Sequence, residues 1–278
     1  MDHLAERAYF NLRLETKKLV SAIISTCTTQ KESLPILLGK LREKRLPKAV
    51  AIQNLRMLFN GYERHLVSEI ISMPGQIRIA YDIGAHVGYM TLALAQRVGS
   101  TGKVYAFEPC PDNRVFIEEL ILHNNLMKIV NIMDLALADT NGHQNLILGE
   151  TSFMHSLDGV AGRLERAGKM TINVKTSTLD TFVFDHSHSS PDLLKIDVEG
   201  AEDLVIQGGL RTLNSYAPKL LIEIHGPTKA GNVWNLIKDF SYSWTHLTSN
   251  GKEAISSLEK LLSFFSKDSW THHFFLKK

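Results

Sequence analysis

The 278-residue chain has only two cysteines, Cys27 and Cys110. Two thiols cannot make a disulfide framework, so the fold must rest on an apolar core, and a reducing compartment is expected. An excess of one charge is missing too: 31 lysines and arginines face 29 aspartates and glutamates, a net charge of +2. That balance gives no electrostatic reason to expect nucleic acid as the main partner. Long apolar runs are absent. The opening MDHLAERAYFNLRLE is charged where a secretory leader would be apolar, and Leu19–Ile24 is far too short to span a bilayer. A soluble cytoplasmic protein without a transmembrane segment is therefore expected. No internal repeat or low-complexity tract is evident, which excludes a solenoid. What remains is ordinary: 44% apolar and 22% charged residues, enough for one α/β domain with an appended segment.

Residues 1–72 read as helical. Leu37, Leu38, Leu41 and Leu46 recur at helix-like spacing, as do Leu55, Leu58 and Phe59, then Leu66, Ile70 and Ile71. Pro74-Gly75 closes this stretch. The expectation is an N-terminal helical extension over 1–72, packed on a main domain over 73–278. From Ile77 the texture changes. Strands are expected at 77–83, 103–107, 129–138, 193–198 and 220–224, with helices at 87–98, 112–124, from 201 and at 233–240. Such alternation predicts βαβ units, a mostly parallel sheet and helices on both faces. Asn141-Gly142 marks a turn into a strand at 143–148, and 170–175 reads as another. Between them lies a polar insertion, 151–169, carrying His155, either a lid or a surface excursion. Residues 270–276 read as a last strand.

The segment Asp82-Ile83-Gly84-Ala85-His86-Val87-Gly88 ends a strand and opens a helix. Gly84 permits a sharp turn, and Gly88 permits close approach to the helix. The helix N-terminus presents unpaired N–H groups. This is not GxGxxG, and an aspartate at the strand end would repel a pyrophosphate. It would suit an ammonium or a sulfonium, which disfavours an NAD-type oxidoreductase. Glu108 ends the next strand, 20 residues after Gly88, where a carboxylate accepts hydrogen bonds from ribose hydroxyls. Ala136 and Leu137, at the end of the third strand, are candidates for an adenine wall, or simply for core. His86 is expected to face solvent.

Asp192-Leu193-Leu194-Lys195-Ile196-Asp197-Val198-Glu199-Gly200-Ala201-Glu202 is the most distinctive stretch in the chain. It resembles the FkbM family of S-adenosylmethionine-dependent methyltransferases. Tyr62-Glu63, the Asp82–Gly88 element, Phe107-Glu108-Pro109 with Asn113, and Thr178-Leu179-Asp180 are similar to family features in the family order. So are Gly208-Gly209 and Leu221-Ile222-Glu223-Ile224-His225. The resemblance spans roughly residues 60–276. It implies a Rossmann-like class I methyltransferase fold: a seven-stranded, mostly parallel sheet with one antiparallel strand. It implies S-adenosylmethionine as cofactor, held by Asp82, Gly84, Gly88, Glu108, Asn113, Ala136, Leu137 and Asp197. It also implies O-methylation of a sugar, glycolipid or natural-product hydroxyl. An RNA or protein methyltransferase of this fold, or a non-catalytic binding module, is the alternative.

Methyl transfer from a sulfonium to a hydroxyl needs in-line alignment and a group to take the proton. Asp197 and Glu199 sit at one strand end, two residues apart. Glu223 and His225 sit at the next with the same spacing. Asp197, Glu199 and His225 are the catalytic candidates, Asp197 or His225 as base. Together with Glu223 this set could also hold a divalent cation, although no motif fixes a ligand geometry and a metal-free base is the first expectation. Lys195 is expected to pair with Asp197, and Glu202 to favour a helix N-terminus.

Overall fold

The computed structural model describes residues 32–148, 156–157, 170–185, 188–266 and 269–278. Cys27, His155 and most of the 151–169 insertion lie outside the described residues. The chain opens with strands β1 (Ser33–Pro35) and β2 (Arg45–Pro47), paired antiparallel, then helices α1 (Lys48–Gln53), α2 (Leu55–Leu58) and α3 (Arg64–Ser72). The helical expectation thus holds from 48 onward and fails over 33–47. There Gly39 takes φ +79°, Glu43 takes φ +72°, and the prolines end both strands. Of the leucines at 37–46 only Leu41 and Leu46 are buried, in the core shared with the large sheet, while Leu37 is exposed.

Strands β3 (Ile79–Ile83), β4 (Lys103–Phe107) and β5 (Val130–Met133) alternate with α4 (Tyr89–Val98) and α5 (Pro111–His123). Next come β6 (Ala136–Leu137), β7 (Gly142–Leu148), β8 (Ser156–Leu157) and β9 (Met170–Ser177). The chain then returns through β10 (Leu193–Ile196), α6 (Glu202–Gln207), α7 (Leu210–Tyr216), β11 (Lys219–His225) and α8 (Pro227–Ile237). It finishes with β12 (Ser243–Thr248), β13 (Gly251–Ile255), α9 (Leu258–Leu262) and β14 (Thr271–Lys277).

The large sheet has the order β13-β12-β14-β11-β10-β3-β4-β5. Strands β11, β10, β3, β4 and β5 are mutually parallel, and β14 runs antiparallel between β11 and β12. These seven strands are the expected arrangement, and β13 adds an eighth by pairing antiparallel with β12. The expected third strand is split. Residues 130–133 stay in the large sheet, whereas 136–137 join a second sheet of order β6-β9-β7-β8. A Leu135 N–H to Met133 carbonyl bond of 2.9 Å makes the turn between them.

Strand residues alternate between two apolar layers, as the pleat requires. Ala80, Val104, Leu193 and Leu221 face one core with α3, α4 and α5. Tyr81, Phe107, Leu194 and Leu220 face the other, with α6, α7 and α8. Leu34, Leu41, Leu46, Val50 and Met57 belong to the first core, so residues 32–72 are joined to the sheet by shared packing. Two aspartates fasten the chain ends of elements. Asp192 accepts from the Arg78 and Ile79 N–H groups at the start of β3. Asp180 accepts from the Arg211 and Thr212 N–H groups and the Thr212 hydroxyl at the start of α7. That gives the Thr178-Leu179-Asp180 motif a structural role.

Candidate active site

The chain order reverses beside β3: β4 and β5 lie on one side, β10 and β11 on the other. Ligands of open α/β sheets bind outside the carboxyl ends of strands at such a switch point. A cavity of about 200 Å³ opens there. At this point Gly84 has φ +79°, and a Cβ on it would lie 1.8 Å from the Asp197 carbonyl oxygen. The glycine is thus required by the neighbouring strand end. Gly88, at φ +85°, lies against Leu120 of α5, 3.3 Å from where a Cβ would stand. It serves helix packing and does not line the cavity. Gly84, Ala85 and His86 do.

Glu108 lies in the cavity wall and is 5% exposed. Its Oε2 accepts from the His86 N–H at 2.8 Å, and its Oε1 accepts from the Cys110 N–H at 2.9 Å and the Asn113 amide at 3.3 Å. Burial pushes its carboxyl up to about 7, against the pull of those donors. Asn113 is buried in the same wall. His86 also lines it, contrary to the expected solvent position; it has φ +53° and its N–H is bonded to Glu108. Leu135, Ala136 and Leu137 form the apolar wall, together with Leu146 and Leu157 from the same second sheet.

Asp82 does not reach the cavity. It is fully buried, accepts from the Thr91 hydroxyl at 2.6 Å and lies 3.5 Å from Lys195 Nζ. Strand register explains the pair: Asp82 and Lys195 are partners across β3 and β10. Burial raises the Asp82 carboxyl. Lys195 also donates to the Gly84 carbonyl at 3.0 Å and to Asp197 Oδ2 at 3.4 Å, as expected for the latter. Burial lowers the Lys195 ammonium, but Asp197 and Asp82 outweigh it and hold the group charged.

The other end of the cavity is carboxylate-rich. Asp197, Glu199 and Glu223 line it, with Tyr62 and Glu63 from the segment before α3. Burial would raise the Asp197 carboxyl, but Lys195 and His225 hold it below its usual range. Burial, and then neighbouring carboxylates, push Glu63 and Glu199 up to about 7 and Glu223 up to about 8. Glu199 has φ +51°. His225 Nδ1 lies 2.8 Å from Glu202 Oε1, and its Nε2 lies 3.4 Å from Glu199 and 3.8 Å from Glu223. Burial lowers the imidazole, yet the Glu202 hydrogen bond and the surrounding carboxylates push it up to about 10. Glu202 is fully buried, accepts from the Gly200 N–H at 2.8 Å, and grips His225 from the first turn of α6.

His273 was not foreseen at the site. Its Nε2 lies 2.9 Å from Glu223 Oε2, and the two residues are register partners across β11 and β14. Only the antiparallel insertion of β14 beside β11 brings them together. Glu63 carried a sequence signal, as part of Tyr62-Glu63, but nothing in that signal pointed to its position. Both lie outside the segment that defines the domain family.

The sheet order, the switch-point cavity and the acidic strand ends define an α/β protein of class I methyltransferase topology. A family model described as the methyltransferase FkbM domain matches residues 82–253, more than half of the chain. The chain belongs to the FkbM methyltransferase family. No curated protein matches it. Among solved structures it is similar to methyltransferase FkbM from Methylobacillus flagellatus KT, at 13% identity and a TM-score of 0.48, over 82% of this chain and 60% of that one. The chain thus spans less than two thirds of that protein's length. It is also similar to Aeropyrum pernix fibrillarin in complex with natively bound S-adenosyl-L-methionine, at 13% identity and a TM-score of 0.41, over 77% and 72%. A SAM-dependent O-methyltransferase from Thermotoga maritima gives 14% identity and a TM-score of 0.39, over 76% and 71%. Among the described residues no helix is long and apolar enough to cross a membrane.

Proposed function

We propose that the protein transfers the methyl group of S-adenosylmethionine to a hydroxyl of a small, uncharged acceptor, such as a sugar, a glycolipid headgroup or a natural product. One observation carries the reading. A single cavity has Glu108 beside an apolar wall at one end and Asp197, Glu199 and Glu223 at the other. In this reading Glu108 accepts from the ribose hydroxyls, and Leu135, Ala136 and Leu137 flank the adenine. Gly84, Ala85 and His86 border the methionine part. The sulfonium then points to the carboxylates, where a positive centre is welcome.

The acceptor hydroxyl stands between the methyl group and the carboxylates. Its oxygen attacks the methyl carbon, the carbon–sulfur bond breaks with its electrons on sulfur, and the hydroxyl proton passes to the carboxylate end. Asp197, Glu199 and Glu223 border that space, whereas His225 stands behind it with Nδ1 on Glu202. This favours a carboxylate over His225 as proton acceptor. Asp82 and Gly88 shape the site from behind, through Lys195 and α5. A carboxylate-rich acceptor end repels polyanions, which weighs against RNA.

The test is calorimetric titration of the purified protein with S-adenosylmethionine and, separately, NAD. Binding of the first alone is expected. Binding of NAD, or of neither in the presence of glycoside acceptors, would overturn the reading.

A further inference from the structure

Five carboxylates crowd the ends of β10, β11 and α6 and the approach to α3: Glu63, Asp197, Glu199, Glu202 and Glu223. The lysine among them, Lys195, is already shared between Asp82, Asp197 and the Gly84 carbonyl. Glu202 is buried and the others are half-buried, and carboxylates crowded out of water in such excess are held by protons, by paired cations or by a metal. Two sets of side chains here have the spacing of metal ligands. Donor atoms of Asp197, Glu223 and His225 all lie within 4.8 Å of one another, as do those of Glu63, Glu223 and His273. Glu223 belongs to both, with Oε1 toward His225 and Oε2 toward His273.

The two sets differ in how they are closed. His273 Nε2 is already hydrogen-bonded to Glu223 at 2.9 Å. His225 Nε2 approaches Glu199 and Glu223 only at 3.4 and 3.8 Å, and Lys195 engages Asp197 through Oδ2 alone. A second observation comes from behind the imidazole. Glu202 is fully buried, its Oε1 takes His225 Nδ1, and its Oε2 has no hydrogen-bond partner. With Nδ1–H held by a carboxylate, a cation that displaces the Nε2 proton meets an oriented lone pair, the arrangement that supports metal-bound histidines.

We propose that Asp197, Glu223 and His225 bind one divalent cation at the acceptor end of the cavity, with Glu202 as the residue that positions His225. Two carboxylate oxygens and an imidazole nitrogen suit Mn²⁺, Fe²⁺, Co²⁺ or Zn²⁺ better than Ca²⁺ or Mg²⁺, which take oxygen ligands. Three protein ligands leave positions open for water or an acceptor oxygen. The placement at the acceptor end rests on the methyltransferase reading; the binding itself does not.

Mn²⁺ titrated into the full-length protein and followed by electron paramagnetic resonance tests this. One Mn²⁺ per chain is expected. His225→Ala and Glu223→Gln should each weaken it at least about tenfold, and Glu202→Gln by about 10- to 100-fold. His273→Ala removes only a hydrogen bond to Glu223 and should weaken it less than His225→Ala does. Thermal melts and S-adenosylmethionine affinity confirm that each variant is folded; if His225→Ala is not, His225→Gln replaces it. Absence of stoichiometric binding to folded protein would overturn the proposal. So would undiminished binding by the His225 variant, or a greater loss with His273→Ala than with His225→Ala. Glu108→Ala should lose the cofactor and keep Mn²⁺, so failure of the cofactor reading and failure of the cation site give different results.

Discussion

At Glu108, burial and hydrogen bonding oppose each other, and burial wins: the carboxyl rises to about 7. A carboxyl raised above its unfolded value contributes stability below that unfolded value and loses it as pH rises through about 7. Glu108→Gln should therefore lose less stability than the parent between about pH 5 and 8, by denaturant unfolding. On the proposed reading ribose hydroxyls donate to the ionised form of Glu108, so cofactor binding would expel the proton at low pH. The calorimetric affinity for S-adenosylmethionine should fall by up to about tenfold per pH unit below about 7 and level off above about 8. A flat profile would remove Glu108 from the ribose site. Glu108→Ala should weaken the cofactor about 100-fold, the loss of two charge-assisted hydrogen bonds.

Gly84 and Asp180 act on elements rather than on ligands. A Cβ at Gly84 would strike the Asp197 carbonyl at 1.8 Å, at a φ that side chains resist. Gly84→Ala should push β3 and β10 apart and destabilise by roughly 2–4 kcal/mol. A variant as stable as the parent would show that the strand ends yield freely. Asp180 holds the first N–H groups of α7 from a segment 31 residues earlier. Asp180→Ala should destabilise by about 1–2 kcal/mol with cofactor affinity unchanged. An unaltered melting temperature would mean that solvent replaces the carboxylate without loss.

Across the whole molecule, residues 32–72 share a core with α4 and α5, and Met57, Tyr62 and Glu63 border the cavity. The described part of the extension expected over 1–72 therefore packs on the 73–278 domain across Pro74-Gly75. A chain begun at residue 73 should expose Leu66, Val67 and Ile70 partners and fail to fold cooperatively. A two-state melt at the parent temperature, with cofactor bound, would instead establish 73–278 as an independent unit.

The βαβ rhythm, the Gly84 turn and the acidic strand ends at Asp82, Glu108, Asp197 and Glu223 were legible in the sequence. Local backbone chemistry and a period of two or 3.6 residues write such features into neighbouring positions. Residues 33–47 carry helix-like leucine spacing yet form two short strands, because Gly39 and Glu43 take left-handed backbone that no helix accommodates. The roles within the site were not legible. Lys195 reaches Asp82 through the β3–β10 register, and His273 meets Glu223 only because β14 inserts antiparallel beside β11. Whether an acidic side chain lines the cavity, as Glu108 does, or stands behind it, as Asp82 does, depends on which face of the sheet it points to and what packs there. Those pairings join residues far apart in the chain, so tertiary packing alone decides them.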